Sequence, residues 1–129
     1  MLFRSMDMDG LKQVNDAHGH QMGGYTLTEV ARIVREHLGN RGEACRFGGD
    51  EFVAYLPGVD RVAAAALAEG VRGAVEGHVF ARDGVELHVT LSIGVAAYPD
   101  DGATPDALFR AADQALYRAK AAGKNRVSL

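Results

Sequence analysis

The chain has 129 residues, a formal net charge of −3 and an apolar fraction of 47%, which is the balance of one ordinary globular domain with a real core. A net negative charge argues against a nucleic-acid or anionic-membrane binder. The single cysteine, Cys45, excludes an intrachain disulfide, and no apolar run approaches the roughly 20 residues of a membrane span. The opening "MLFRSMDMDG" has no long apolar stretch of a signal peptide, so the expected location is the cytoplasm. It begins almost directly in a strand-like segment, which suggests an excised piece of a longer protein.

Leu2 to Met6 reads as a short strand ending at the acids of "MDMDG", and Leu11 to His18 as a short helix. A clearer helix runs from Tyr25 to Leu38, with Leu27, Val30, Ala31, Val34 and Leu38 on one face. The glycines of "GNRG" end it. Ala44 to Phe47 and Phe52 to Leu56 are strand-like runs on either side of "GGDE", which predicts a hairpin with glycines and acids at its tip. Pro57-Gly58 stops the second strand.

Asp60 is placed to cap a helix through Val75, with Val62, Leu67, Val71 and Val75 facing inward. The Ala63 to Ala66 run is helix-friendly and needs no special role. "RDG" at Arg82 to Gly84 predicts another hairpin turn. Leu87, Val89, Leu91, Ile93 and Val95 then alternate over one long strand. Thr104-Pro105 starts a last helix that runs to about Ala121 and closes at Gly123. Arg126 to Leu129 adds an edge strand. Hairpins mixed with crossover helices indicate an α/β sandwich around a mixed sheet.

Two pairs of acids stand out. Asp7 and Asp9 sit where the first strand ends, and Asp50 and Glu51 sit at the tip of the central hairpin. If those strands are neighbours, the acids converge at one end of the sheet. Hard oxygen ligands at such a rim suit Mg²⁺, which keeps its other positions for water and substrate phosphate. Gly48 and Gly49 would let a phosphate or ribose approach the backbone. Each turn alone is equally well a solvated turn. Lys120 and Lys124 are four apart at the end of the last helix; they answer the helix dipole or neutralise a polyphosphate. Asn15 carries an amide that can read a base edge. His18 and His20, one residue apart, are a weak metal signal and suit turn or packing roles better. Cys45 is most simply a buried small residue.

Together the segments "DMDGLKQVNDAHGH", "RFGGDEF", "LSIGVAAYP" and "ADQALYRAKAAGKNR" resemble the GGDEF domain family, the diguanylate cyclases, in order and spacing over nearly the whole chain. The resemblance implies one domain over residues 1–129. Its fold would be a mixed central sheet wrapped by helices, akin to nucleotidyl cyclases and polymerase palms. It implies that two domains, each holding one GTP with Mg²⁺ or Mn²⁺, meet face to face and form cyclic di-GMP with release of pyrophosphate. Carried over by position, Asp7 and Asp50 are the metal carboxylates, with the Met8 carbonyl as a further ligand. Glu51 is a ligand or helps activate the 3′-hydroxyl. Gly48 and Gly49 admit the nucleotide, and Asn15 contacts guanine. Lys120 and Lys124 contact the terminal phosphates, helped by Lys12 and the backbone at Gly10 and Leu11.

Three departures from the family pattern carry expectations. Gly24 stands where a base-reading aspartate is usual. Losing that charge-assisted pair costs about 1.5–3 kcal/mol, so base selection is expected to relax toward ATP or GTP to bind weakly. A mixed cyclic GMP–AMP product is then one alternative, and a non-catalytic GTP-binding signalling module is another. The inhibitory R-x-x-D register reads Gly39-Asn40-Arg41-Gly42, which predicts no product inhibition through it. The leading helix and a sensory or dimerising region are missing, and the first strand looks shortened, so the isolated chain is expected to be weakly dimeric at best and poorly active.

Overall fold

The computed structural model describes residues 2–46 and 48–129, with side chains from residue 8 onward. The elements are β1 (Leu2–Asp9), α1 (Leu11–His18), α2 (His20–Leu38), β2 (Glu43–Arg46), β3 (Glu51–Tyr55), α3 (Arg61–Gly77), β4 (Phe80–Arg82), β5 (Val85–Leu87), β6 (Thr90–Ala96), α4 (Pro105–Ala121) and β7 (Val127–Ser128). Five strands form one mixed sheet in the order β2-β3-β1-β6-β7, and β4 and β5 form a separate ribbon. β1 is central and antiparallel to both β3 and β6. β7 closes the far edge, parallel to β6. The expected mixed sheet wrapped by helices is the fold observed, and no helix among the described residues is long and apolar enough to cross a membrane.

β6 is buried continuously from Leu91 to Ala96. Both α3 and α4 pack on it, so they cover its opposite faces. Phe52, Ala54 and Leu56 alternate with Val53 along β3; the first three join the main core with Val30 and Val34 of α2 and Val71 and Val75 of α3. α4 buries Ala112, Ala115, Leu116 and Ala119, and these mostly small side chains let it lie close to the sheet.

Several expectations are corrected. β1 does not stop at Met6: it continues through the acids to Asp9, because both neighbouring strands keep pairing with it there. α2 begins at His20, five residues before Tyr25, so Gly23 and Gly24 lie inside a helix instead of breaking it. Val62 points outward, 79% exposed, because it lies roughly 200° around α3 from Ala64. Ala64, from the run assigned no role, is instead a core residue with Ala68. The long strand from Leu87 is divided. Asp83 and Gly84, both with positive φ, close the β4–β5 hairpin, and the chain turns at His88 and Val89 before β6. Cys45 is exposed, since β2 is the outer strand of the sheet. Phe47, expected at the end of that strand, lies outside the described residues.

The caps follow the sequence. Asp60 accepts from the Ala63 amide at 2.8 Å and Thr104 from the Ala107 amide at 3.1 Å. Gly39, with φ 58°, caps α2. Gly42 is needed for a different reason. A Cβ there would stand 2.3 Å from both the Tyr55 carbonyl oxygen and Leu56 Cδ2. Gly42→Ala is therefore expected to cost about 1–3 kcal/mol by overpacking, read as a lower denaturation midpoint at unchanged slope.

Candidate active site

The site is assembled at the end of the sheet where β1 finishes and β3 starts. In register, Asp7 lies opposite Glu51 on one side and Ser92 on the other. The Met8 amide donates to the Asp50 carbonyl at 3.3 Å. That bond fastens the hairpin tip to the acid-bearing end of β1, while the Met8 side chain is buried in the core. The two acidic segments thus converge as the sequence suggests. The Asp7 side chain lies outside the described residues. Among the described side chains no group of three potential ligands forms. Asp50 and Glu51 lie beside the Asp7 backbone in the pairing, and carboxylate oxygens are the hard donors that Mg²⁺ or Mn²⁺ takes.

Arg46 organises the turn between β2 and β3. Its Nη2 donates to the Gly49 carbonyl at 2.7 Å and its Nε to the Gly48 carbonyl at 3.4 Å. The arginine therefore restrains a glycine pair that would otherwise be loose. A Cβ on Gly49 would meet nothing within 4 Å, and one on Gly48 would make only ordinary contact with Glu51 at 3.8 Å. Among the described residues, packing does not require glycine at either position.

A cleft of about 520 Å³ opens beside this turn, lined by residues that include Lys12, Asn15, Gly24, Arg46, Gly49 and Asp50. α1 carries Lys12 and Asn15 into it, starting from Gly10 in the left-handed conformation, φ 83°. Asn15 is placed by Gly23: a Cβ on that glycine would come within 1.7 Å of the Asn15 Oδ1. The Asn15 carboxamide therefore lies directly on the backbone of α2, and only glycine at position 23 permits it. Gly24 is the opposite case. It is exposed, and a Cβ there meets nothing within 4 Å, so the position could hold a larger side chain. A larger cleft of about 770 Å³ lies at the other end of the sheet, lined by Tyr55, Pro57, Tyr98 and Phe109 among others. Among the described residues its wall carries no carboxylate or cation, whereas that of the smaller cleft carries both.

Lys120 and Lys124 do not line the cleft. They stand on the β6–β7 side, where α4 ends and the chain turns into β7. Asp9 bridges the two regions. Its carboxylate accepts from Thr90 Oγ1 at 2.7 Å, Ser92 Oγ at 2.8 Å and the Asn125 amide at 3.1 Å. Asp9 is thus a structural acceptor, unlike the free rim acid that its spacing from Asp7 suggests. His20 lines the cleft, whereas the His18–His20 pair gathers no metal-binding group among the described residues. In the R-x-x-D register, Arg41 donates to the His37 carbonyl at 2.8 Å. Gly42 has no room for a side chain unless Tyr55 or Leu56 shifts.

Sequence reasoning missed Arg46, Gly23 and Asn125. Arg46 had a faint signal, a cation directly before a glycine turn whose carbonyls need donors. Gly23 and Asn125 had none, since each depends on a contact made across the fold.

A family profile described as "Diguanylate cyclase, GGDEF domain" matches residues 1–126. Diguanylate cyclase A of Treponema denticola is 40% identical over 124 residues, 96% of this chain and 33% of that protein. The response regulator PleD of Caulobacter vibrioides is 40% identical over 124 residues, 95% of this chain and 27% of its own length. The chain spans about a third or less of these relatives. The active GGEEF domain of a diguanylate cyclase from Vibrio cholerae superimposes with a TM-score of 0.89 at 31% identity, covering 98% of this chain and 80% of that one. The GGDEF domain of DgcB from Caulobacter crescentus, solved in complex with c-di-GMP, gives 0.89 at 28% identity, covering 98% and 75%. With a profile match over nearly its whole length and a sheet that carries the acidic hairpin against β1, the chain belongs to the GGDEF domain family of diguanylate cyclases.

Proposed function

We propose that this chain is a catalytic domain that condenses two GTP into cyclic di-GMP. The observation that carries the proposal is the Met8–Asp50 backbone bond at 3.3 Å, which sets two acidic segments side by side at the mouth of a nucleotide-sized cleft. In this reading Asn15 contacts the guanine edge, and Lys12, the Gly10 and Leu11 backbone, Lys120 and Lys124 take the phosphates. Gly48 and Gly49 let the nucleotide lie against the turn. Asp7, the Met8 carbonyl and Asp50 would hold a divalent cation, which when bound would supply charge neutralisation at the α-phosphate and ease deprotonation of an attacking hydroxyl.

The chemistry is two phosphoryl transfers. The 3′-oxygen of one nucleotide forms a bond to the α-phosphorus of the other. The bond from that phosphorus to the bridging oxygen breaks, pyrophosphate leaves, and the hydroxyl proton passes to Glu51 or to solvent. The second transfer repeats this with the roles exchanged. One chain holds one nucleotide, so the reaction needs a second copy facing the first, and most of the catalytic effect comes from positioning and charge. The domain alone is expected to be weakly dimeric and slow, and to act in the cytoplasm without nucleic acid or membrane contact.

A second reading concerns the base, and the open space at Gly24 favours it. A carboxylate there would accept from guanine N1–H and N2–H₂ and repel the adenine N1 acceptor. Without it, ATP is admitted and mixed cyclic GMP–AMP can form. A domain that binds GTP and only signals would release no pyrophosphate.

The decisive experiment incubates an artificially dimerised chain with Mg²⁺ and GTP, ATP or an equal mixture, and separates the products by chromatography. Cyclic di-GMP with pyrophosphate is the expected product, and Asp50→Asn should lower pyrophosphate release by about 100-fold or more. Nucleotide binding with no release in any mixture would overturn the catalytic reading. Gly24→Asp is expected to raise the preference for GTP over ATP about ten-fold, measured as the ratio of kcat/KM values. Cyclic di-GMP is expected to leave initial rates unchanged at concentrations well above those of substrate, and any inhibition observed should survive Arg41→Ala.

A further inference from the structure

We propose that Asp9 and Asn125 form a latch that presents Lys124 to the polyphosphate tail of the nucleotide, so that Asp9 acts as a positioning residue. The proposal rests on the cyclase reading for the nature of the ligand. It rests on the fold for the latch itself.

The turn after α4 is held in an unfavourable shape. Gly123, Lys124 and Asn125 have φ values of 123°, 65° and 47°. Glycine adopts such values freely and asparagine tolerates them, but lysine rarely does. The conformation persists because its polar groups are fixed on several sides. The Lys124 amide donates to the Ala119 carbonyl at 3.0 Å, and Arg126 Nε donates to the Lys124 carbonyl at 3.0 Å. The Asn125 amide donates to Asp9 Oδ2 at 3.1 Å. The Asn125 side chain is clamped as well: Arg72 Nη1 donates to its Oδ1 at 2.9 Å, and its Nδ2 donates to Glu76. That donation, ahead of the charge of Arg72, holds the Glu76 carboxyl below its ordinary range.

These bonds fix the backbone of Lys124 and leave its side chain exposed. Asp9 is the common point. It is two residues from Asp7 on the same strand, and Thr90 and Ser92 fix both of its oxygens. The strand end that carries Asp7 therefore also holds, through the Asp9 carboxylate and the Asn125 amide, the turn that carries Lys124. Strain held at a cationic turn beside a phosphate-chemistry rim is what a preorganised binding group requires.

A latch that only closed the α4–β7 turn would alter stability and nothing else. Calorimetry with 3′-deoxy-GTP and 3′-deoxy-GMP separates the cases, because neither ligand can react. Asp9→Asn should weaken 3′-deoxy-GTP roughly ten-fold and leave 3′-deoxy-GMP unchanged. In a Lys124→Ala background the same substitution should add no further loss, the mark of residues acting through one another. Asn125→Gly keeps the left-handed backbone and the Asp9 contact but removes the ties to Arg72 and Glu76. It should show a smaller, equally Lys124-dependent loss, and it carries the test if Asp9→Asn does not fold. Equal weakening of both ligands, or full additivity with Lys124→Ala, overturns the latch. Absence of pyrophosphate release from GTP by the dimerised wild type, with the binding cycle as expected, overturns the cyclase reading and leaves the latch standing.

Discussion

The antiparallel pairing of β1 with β3 is the constraint on which the site depends. It places Asp7 opposite Glu51 and lets the Met8 amide bond the Asp50 carbonyl. Carboxylates gathered at one strand end repel one another, and a short hairpin tip with two glycines is a poor structure to hold them by itself. The hold comes from its surroundings. Phe52, one residue beyond the acids, is buried in the core, and Arg46 takes the carbonyls of both glycines. The acids are fixed because the neighbouring apolar residue cannot leave the core and the turn carbonyls have a donor.

The same strand serves the other side. Asp9 continues β1 by one more pair, opposite Thr90, and its carboxylate reaches the turn after α4. Asp7, Met8 and Asp9 thus divide the work of a single strand end. One faces the hairpin acids in register, one anchors the strand in the core, and one ties down the lysine-bearing turn. The cleft beside the hairpin turn sits to the β3 side of this strand and the lysines to the β6 side, so a ligand reaching from Asn15 to Lys124 would cross the acidic rim between them. Under the proposed reading, that would put base end, reacting centre and phosphate end in the order a nucleotidyl transfer needs.

Two adjacent glycines in α2 illustrate opposite uses of one residue type. Gly23 is enforced by the Asn15 carboxamide lying on it, whereas Gly24 faces open space. The first is a packing requirement of the Asn15 side chain. The second is required by nothing in the fold, so its effect falls on what the cleft admits.

Much of this was legible in the chain itself. The acids at Asp7, Asp50 and Glu51, the hairpin around "GGDE", α1 from Leu11 to His18 and the Thr104-Pro105 start of α4 rest on local signals: turn chemistry, caps and short-range apolar periodicity. Local patterns carry such features because the residues concerned are near one another in sequence. Tertiary structure alone decided the rest. Gly23 and Gly24 continue a helix because α1 packs on it. Val62 turns out to solvent while Ala64 enters the core, because the sheet meets that face of α3. Asp9 and Asn125, which no local pattern could pair, meet because β6 sits between β1 and β7 and brings the two ends of the chain to one edge of the site.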